Sequence, residues 1–187
     1  MNYQNVLCIG DSQTFGARTY GCYPLHLARI LTATTPYLWR TINESHNGHT
    51  ARDLWFELPG VLQRAPDTHQ ACVLIGTNDV GEGTPIDLFE EYYRQTLRAL
   101  RIAGFRAVFC GEIPPIFADG HVYFPKETAA RHDDYNAALR RALPEHPGAV
   151  HVALEPLTRD AYVDPVHFNE SGNELVAEAF ADAIREQ

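Results

Sequence analysis

A serine hydroxyl attacks a carbonyl only when a base takes its proton, and that base is most often an imidazole oriented by a carboxylate. This chain carries the parts for such chemistry in four short blocks, in order: Gly10-Asp11-Ser12, Asn47-Gly48, Gly76-Thr77-Asn78-Asp79 and Asp164-Pro165-Val166-His167. Asp164 and His167 are close enough in sequence for the carboxylate to reach the Nδ1 proton while Nε2 points at Ser12. The tetrahedral oxyanion of acyl transfer also needs preorganised donors. The backbone N–H groups of Ser12 and Gly48 and the side-chain amide of Asn78 are the candidates. Competition for the role of nucleophile is thin. The other serines are Ser45, with no Asp/His pair beside it, and Ser171, which reads as a helix cap.

These residues must be positioned by regular elements. Asn5–Ile9, Leu38–Ile42, Ala71–Ile75, Arg106–Cys110 and Ala149–Ala153 are short apolar runs of the kind found in strands buried on both faces. Between them lie stretches of helical period. Pro24–Ala33 places Leu25, Ala28 and Leu31 on one face, and Ala51–Leu62 does the same with Leu54, Leu58 and Leu62, with Pro59 expected to kink or end it. Thr84-Pro85 reads as the start of a helix that buries Phe89, Tyr92, Tyr93, Thr96 and Leu100. Glu127–Leu143 is expected to be a helix stopped by Pro144. A last helix over 171–185 is expected to carry a Ser171/Glu174 capping box and to bury Leu175, Val176, Ala179, Phe180 and Ile184.

Strand–helix alternation implies an α/β protein, with a parallel sheet between two helical layers. Residues 1–187 read as a single domain, since no linker or repeat interrupts them. In this layout Ser12, Gly76–Asn78 and the Glu112–Pro115 loop all follow the carboxyl ends of strands, the edge where open parallel sheets bind ligands.

Composition narrows the function. A net charge of −9 argues against a nucleic-acid partner and against anchoring on an anionic membrane. Cys8, Cys22, Cys72 and Cys110 are scattered without a Cys-x-x-Cys, as in a reducing compartment, and no leader-like segment is visible, so a cytoplasmic location is expected. The chain lacks a Gly-x-Ser-x-Gly elbow, a Gly-x-Gly-x-x-Gly turn and a Gly-Lys-Ser/Thr loop, which argues against an α/β-hydrolase and against nucleotide-binding folds. His46 and His49, with Asp53 nearby, lack the helical i, i+4 spacing of zinc proteases, so no metal is expected. Nothing specifies an oligomeric state.

In their order and spacing the four blocks resemble those of the SGNH hydrolases, also called GDSL-type esterases and lipases. The match runs from Gly10 to His167, with Tyr23-Pro24 also resembling the stretch after the family's nucleophile. The resemblance implies a three-layer, flavodoxin-like fold with a five-stranded parallel sheet. It implies a serine esterase using Ser12, Asp164 and His167, an oxyanion hole of Ser12, Gly48 and Asn78, and no cofactor. Asp11 and Asp79 read as loop-bracing residues. The chain departs from the family pattern in three places. Gln13 replaces a leucine, His49-Thr50 stand where small residues are commoner, and Phe168 follows the histidine where a proline is common.

The implied substrate is a small-molecule carboxylic ester or thioester, and a chain without an obvious lid insertion points to short acyl groups such as acetyl. Ile113, Pro114 and Phe117, with Tyr123-Phe124, either border the acyl or leaving-group pocket or pack their loop onto the sheet. Two other functions share the same fold. One is an acyltransferase with the same triad. The other is a non-catalytic carbohydrate- or ligand-binding module, whose expected sign is a lost Ser, Asp or His.

Overall fold

The apolar runs become five strands: β1 (Tyr3–Gly10), β2 (Leu38–Asn43), β3 (Gln70–Leu74), β4 (Ala107–Gly111) and β5 (Ala149–Val152). All are parallel, in the order β2-β1-β3-β4-β5. The computed structural model describes residues 3–117, 126–154 and 157–187. Alternate residues of each strand face opposite layers, which is why the runs are apolar throughout. Leu7, Ile9, Val73 and Val108 pack under α3 (Ala51–Arg64), α5 (Ile86–Ile102) and α7 (His132–Ala142). Val6, Cys8, Cys72 and Phe109 pack under α2 (Tyr23–Thr34) and α8 (Glu170–Arg185), where Tyr23 and Phe180 stack at 5.1 Å. The result is the three-layer α/β/α arrangement with the flavodoxin-like strand order. All four cysteines are free thiols, three of them buried.

This order creates the binding edge. After β1 the chain moves outward to β2 and then returns to the other side of β1 as β3. The loops leaving β1 and β3 therefore diverge and open a crevice at their carboxyl ends. Two short helices line it, α1 (Ser12–Phe15) and α4 (Thr77–Glu82).

Several local expectations are corrected. In α2 the buried residues are Tyr23, Pro24, His26, Leu27 and Leu31, while Leu25 is half exposed. In α8 Val176, Ala177, Phe180, Ala181 and Ile184 are buried and Leu175 faces outward. In both helices part of the expected face is right, Leu31 in α2 and Val176, Phe180 and Ile184 in α8, and only its edge is displaced: Leu25 turns outward beside the buried Tyr23 and Leu27, and Leu175 and Ala179 give way to Ala177 and Ala181. Helix α3 runs through Pro59 to Arg64, because Pro59 lies on the exposed side, where water can replace the lost backbone bond. Thr84 is not a cap, since its backbone N–H donates to Asp79 O at 2.9 Å and α5 begins after Pro85. The α5 face gains Leu97, and Tyr92 is only partly buried. The long helix expected over 127–143 is two, α6 (Lys126–Ala129) and α7, separated by a turn at 130–131 and followed by a 3₁₀ turn that contains Pro144. Helix α8 is capped by Asn169, which accepts from Gly172 N at 3.0 Å, and Ser171 only donates to that asparagine.

Candidate active site

At the end of β1, Asp11 caps α1 by accepting from Gln13 N at 3.0 Å, which places Ser12 at the first helical position. The loop from β5 brings the other partners. Asp164 Oδ1 accepts from the backbone N–H groups of Val166 (3.0 Å) and His167 (2.9 Å), a turn closed on itself. The same carboxylate's Oδ2 lies 2.8 Å from His167 Nδ1, and His167 Nε2 lies 3.1 Å from Ser12 Oγ. Partial burial pushes the Asp164 carboxyl up, but the two amides and the imidazole outweigh it and hold it below its ordinary value. The structure thus brings Ser12, His167 and Asp164 into one hydrogen-bonded series. A base so placed can take the serine proton and return it to a leaving group.

The candidate oxyanion donors meet the same space. Ser12, Gly48, Thr77, Asn78, Asp164 and His167 all line one open cleft of about 620 Å³. Gly48 has φ +80°, a left-handed backbone that glycine adopts without strain. Gly76, before Asn78, has φ +129°, and a Cβ there would sit 2.5 Å from Ile113 Cδ1, so both backbone and space demand glycine. The Asn78 amide donates to His49 O at 2.9 Å, which leaves its second N–H for the cleft. Loss of one such donor typically lowers kcat by about 10²–10³. Asn78→Ala is expected to lower turnover on p-nitrophenyl acetate into that range, and unchanged turnover would take Asn78 out of the site.

Asp11 and Asp79 brace more than their own loops. Asp79 Oδ2 accepts from Ala51 N at 2.8 Å, pinning the start of α3, where Thr50 and Asp53 form a reciprocal capping box. Burial pushes the Asp79 carboxyl up to about 7, with the neighbouring Asp11 charge adding to the shift. Burial also pushes Asp11 up to about 7, against opposition from the nearby Gln13, Thr77 and Gly76 amides. A carboxyl whose folded pKa is raised binds a proton that the unfolded chain has already lost. Its stabilising contribution is present below pH 3.8 and disappears as pH rises through about 7. His146, pushed down by burial, acts in the opposite sense, as one group against two. The thermal midpoint is therefore expected to be higher at pH 5.5 than at pH 8, and Asp11→Asn is expected to flatten the difference. A midpoint that climbs with pH over this window would contradict the assignment.

Two contacts were not foreseen. Gln13, where the family pattern has leucine, is buried and donates its side-chain amide to Val166 O (2.9 Å) and Thr77 Oγ1 (3.2 Å). It ties the helix that carries Ser12 to the residues beside His167 and Asn78. Arg18, at φ +65°, lines the cleft and places Nε 3.1 Å from Asp164 Oδ2, so it shares that oxygen with His167. A glutamine in place of leucine at position 13 and a charged residue soon after the serine were the only sequence signals of either. Phe168, in the place of a proline, is buried against Tyr162 and sits in an antiparallel bridge with it, so the His167 loop is pinned by packing.

Ile113, Pro114 and Phe117 are not among the described residues that line the cleft. Ile113 is a core residue whose backbone is clamped on both sides by the Asn136 amide. Pro114 is buried, and Phe117 packs edge-on against Tyr162 while its N–H donates to Pro165 O. These contacts fix the loop to α7 and to the segment that carries Asp164 and His167. Tyr123 and Phe124 lie outside the described residues. Asp53 belongs to the capping box, and the carboxylate that meets His46 and His49 is Glu57.

Comparison with known proteins agrees with the geometry. Residues 8–175 match the GDSL-like Lipase/Acylhydrolase family. A lipase/acylhydrolase from Enterococcus faecalis superposes with a TM-score of 0.81 at 15% identity, covering 98% of this chain and 96% of that one. A variant of an acetyl xylan esterase from Geobacillus stearothermophilus gives a TM-score of 0.72 at 22% identity, covering 97% and 94%. No curated protein matches the sequence.

Proposed function

Because the chain belongs to the GDSL-like lipase/acylhydrolase family, we propose that it is a serine esterase that cleaves short-acyl carboxylic esters through an acyl-enzyme on Ser12. The observation that carries this reading is the unbroken series Asp164–His167–Ser12 at 2.8 and 3.1 Å, opening on a cleft that Asn78 and Gly48 also line. Ser12 Oγ attacks the acyl carbon as its proton passes to His167 Nε2. The oxyanion forms beside the Ser12 and Gly48 N–H groups and the free N–H of Asn78. His167 then gives the proton to the departing alcohol. Water, deprotonated by the same nitrogen, attacks the acyl-enzyme, and the acid leaves with Ser12 restored. Asp164 holds the ring in the right tautomer throughout.

A short acyl preference is supported by the cleft. Its lining near Ser12 is mixed, with Thr19, Asn47 and Arg18 among Phe15, Ala17 and Val166, and the apolar residues of the 113–117 loop turn elsewhere. A long hydrocarbon chain gains its affinity from burial of apolar surface, at about 0.8 kcal/mol per CH₂, and the cleft formed by the described residues is open, so it leaves part of such a chain in water. The similarity to an acetyl xylan esterase points the same way.

The test is hydrolysis of p-nitrophenyl esters of increasing acyl length, with a serine-reactive phosphonate as a label. Turnover is expected to be greatest on acetate and to fall with length, and the phosphonate is expected to modify Ser12. A long-chain optimum would overturn the acyl preference, and a protein that neither hydrolyses nor labels would overturn the enzyme. Loss of acyl groups to an added alcohol in preference to water would identify an acyltransferase.

A further inference from the structure

Outside the cleft, on the loop that carries Gly48, two imidazoles turn toward α3. His46 Nδ1 lies 3.4 Å from Glu57 Oε2, and His49 Nε2 lies 3.5 Å from Glu57 Oε1. The two rings stack with centroids 4.7 Å apart and planes 24° from parallel, so one ring must turn for both nitrogens to face a single ion, and the three donor atoms fall within 4.8 Å of one another. Both N···O separations are longer than the usual hydrogen bond of about 2.7–3.2 Å. Four donors placed tetrahedrally around zinc, at about 2.0–2.1 Å from it, stand about 3.4 Å apart. Two imidazoles and a carboxylate are a common donor set for this ion. The three side chains belong to two elements that meet here, and the carboxylate nearer in sequence, Asp53, is already engaged with Thr50.

We propose that His46, His49 and Glu57 bind one divalent ion of the zinc type, water completing the shell, and that the ion clamps the Gly48 loop to α3. The site supplies no atom to the reaction. Its two histidines bracket Gly48, and the carbonyl of His49 is the acceptor that holds Asn78. Metal occupancy therefore fixes both ends of the segment beside the oxyanion position. A second His–carboxylate group, His26 with Glu170 and Glu174, fits an ion less well. Its carboxylates approach opposite ring nitrogens, at 3.2 and 3.9 Å, so they do not converge on one point with the ring.

Titration of EDTA-treated protein with zinc chloride by calorimetry at pH 7.5 tests the site. One zinc per chain is expected to bind, saturating at micromolar concentration and raising the thermal midpoint. His46→Ala and Glu57→Gln are each expected to weaken binding by about tenfold or more, in line with the loss of a metal ligand or its support. Both positions are about half exposed, so the fold tolerates the changes. His26→Ala is expected to leave the isotherm unmoved. Ser12→Ala should bind zinc like the parent, which separates the metal result from the reaction. Absence of saturable binding, or an isotherm unmoved by either substitution in the cluster, would overturn the site.

Discussion

Ser12→Ala is expected to lower turnover on p-nitrophenyl acetate by about 10⁶, the order seen when a triad nucleophile is removed. The residual rate should stay about 10³–10⁴ above that in water, because Asn78, the Gly48 loop and the cleft remain. Stability should hardly change. Among the described residues, the hydrogen-bond partner of Ser12 Oγ is His167, and a methyl group fits the space of the hydroxymethyl stem. The measurement pairs steady-state turnover with a melting curve. A folded variant that keeps parental turnover would remove Ser12 as the nucleophile, and the acyl-enzyme with it.

The second large effect is expected from Asp164→Asn, which should lower turnover by about 10⁴ without unfolding the loop. The reason lies in how the carboxylate is held. Oδ1 accepts two backbone N–H groups, from Val166 and His167, so an asparagine must place its oxygen there. Its NH₂ then faces His167 Nδ1 in the position of Oδ2. A donor at that point forces Nδ1 to accept and moves the ring proton to Nε2, facing Ser12, where the imidazole can no longer act as base. The same NH₂ also meets the Arg18 guanidinium, donor against donor. Turnover measured beside Asp164→Ala separates the two causes. If tautomer dominates, the alanine variant should retain more activity than the asparagine one. Equal and small losses in both would show that Asp164 does not orient His167.

The parts of the site that the sequence disclosed are those set by local geometry. Two of the blocks sit directly where a strand ends, β1 and β3, so an apolar run followed by Gly-Asp-Ser or Gly-Thr-Asn-Asp carries both its position and its chemistry. Strand direction and layer count follow from the continuous apolar runs. Leu25 and Leu175 were turned inward because a short amphipathic pattern leaves the edge of its buried face open, and the packing of Tyr23 on Phe180 between α2 and α8 decides where that edge falls. Gln13, Arg18 and Glu57 escaped for a different reason. Their partners are far along the chain or on another element: Val166 lies 153 positions from Gln13, and a carboxylate one helical turn beyond Asp53 was indistinguishable from any exposed glutamate. The 113–117 loop was ambiguous because apolar residues serve a pocket or a core equally well, and the Asn136 clamp that decides for Ile113 is a tertiary contact.

The distance in sequence between Ser12 and its imidazole partner has a consequence for the birth of the molecule. Ser12 and His167 are 155 positions apart, and the loop bearing the histidine is placed by β5 before it and by α8 after it. Entropy alone does not make so long a closure prohibitive, since its cost grows only with the logarithm of length. Order of synthesis does matter: a chain growing from its N-terminus exposes the serine first and the imidazole late. Until α8 has emerged and docked beside α2, the nascent chain holds an unactivated alcohol. The docking of α8 on α2 therefore sets the moment at which Ser12 gains its imidazole partner.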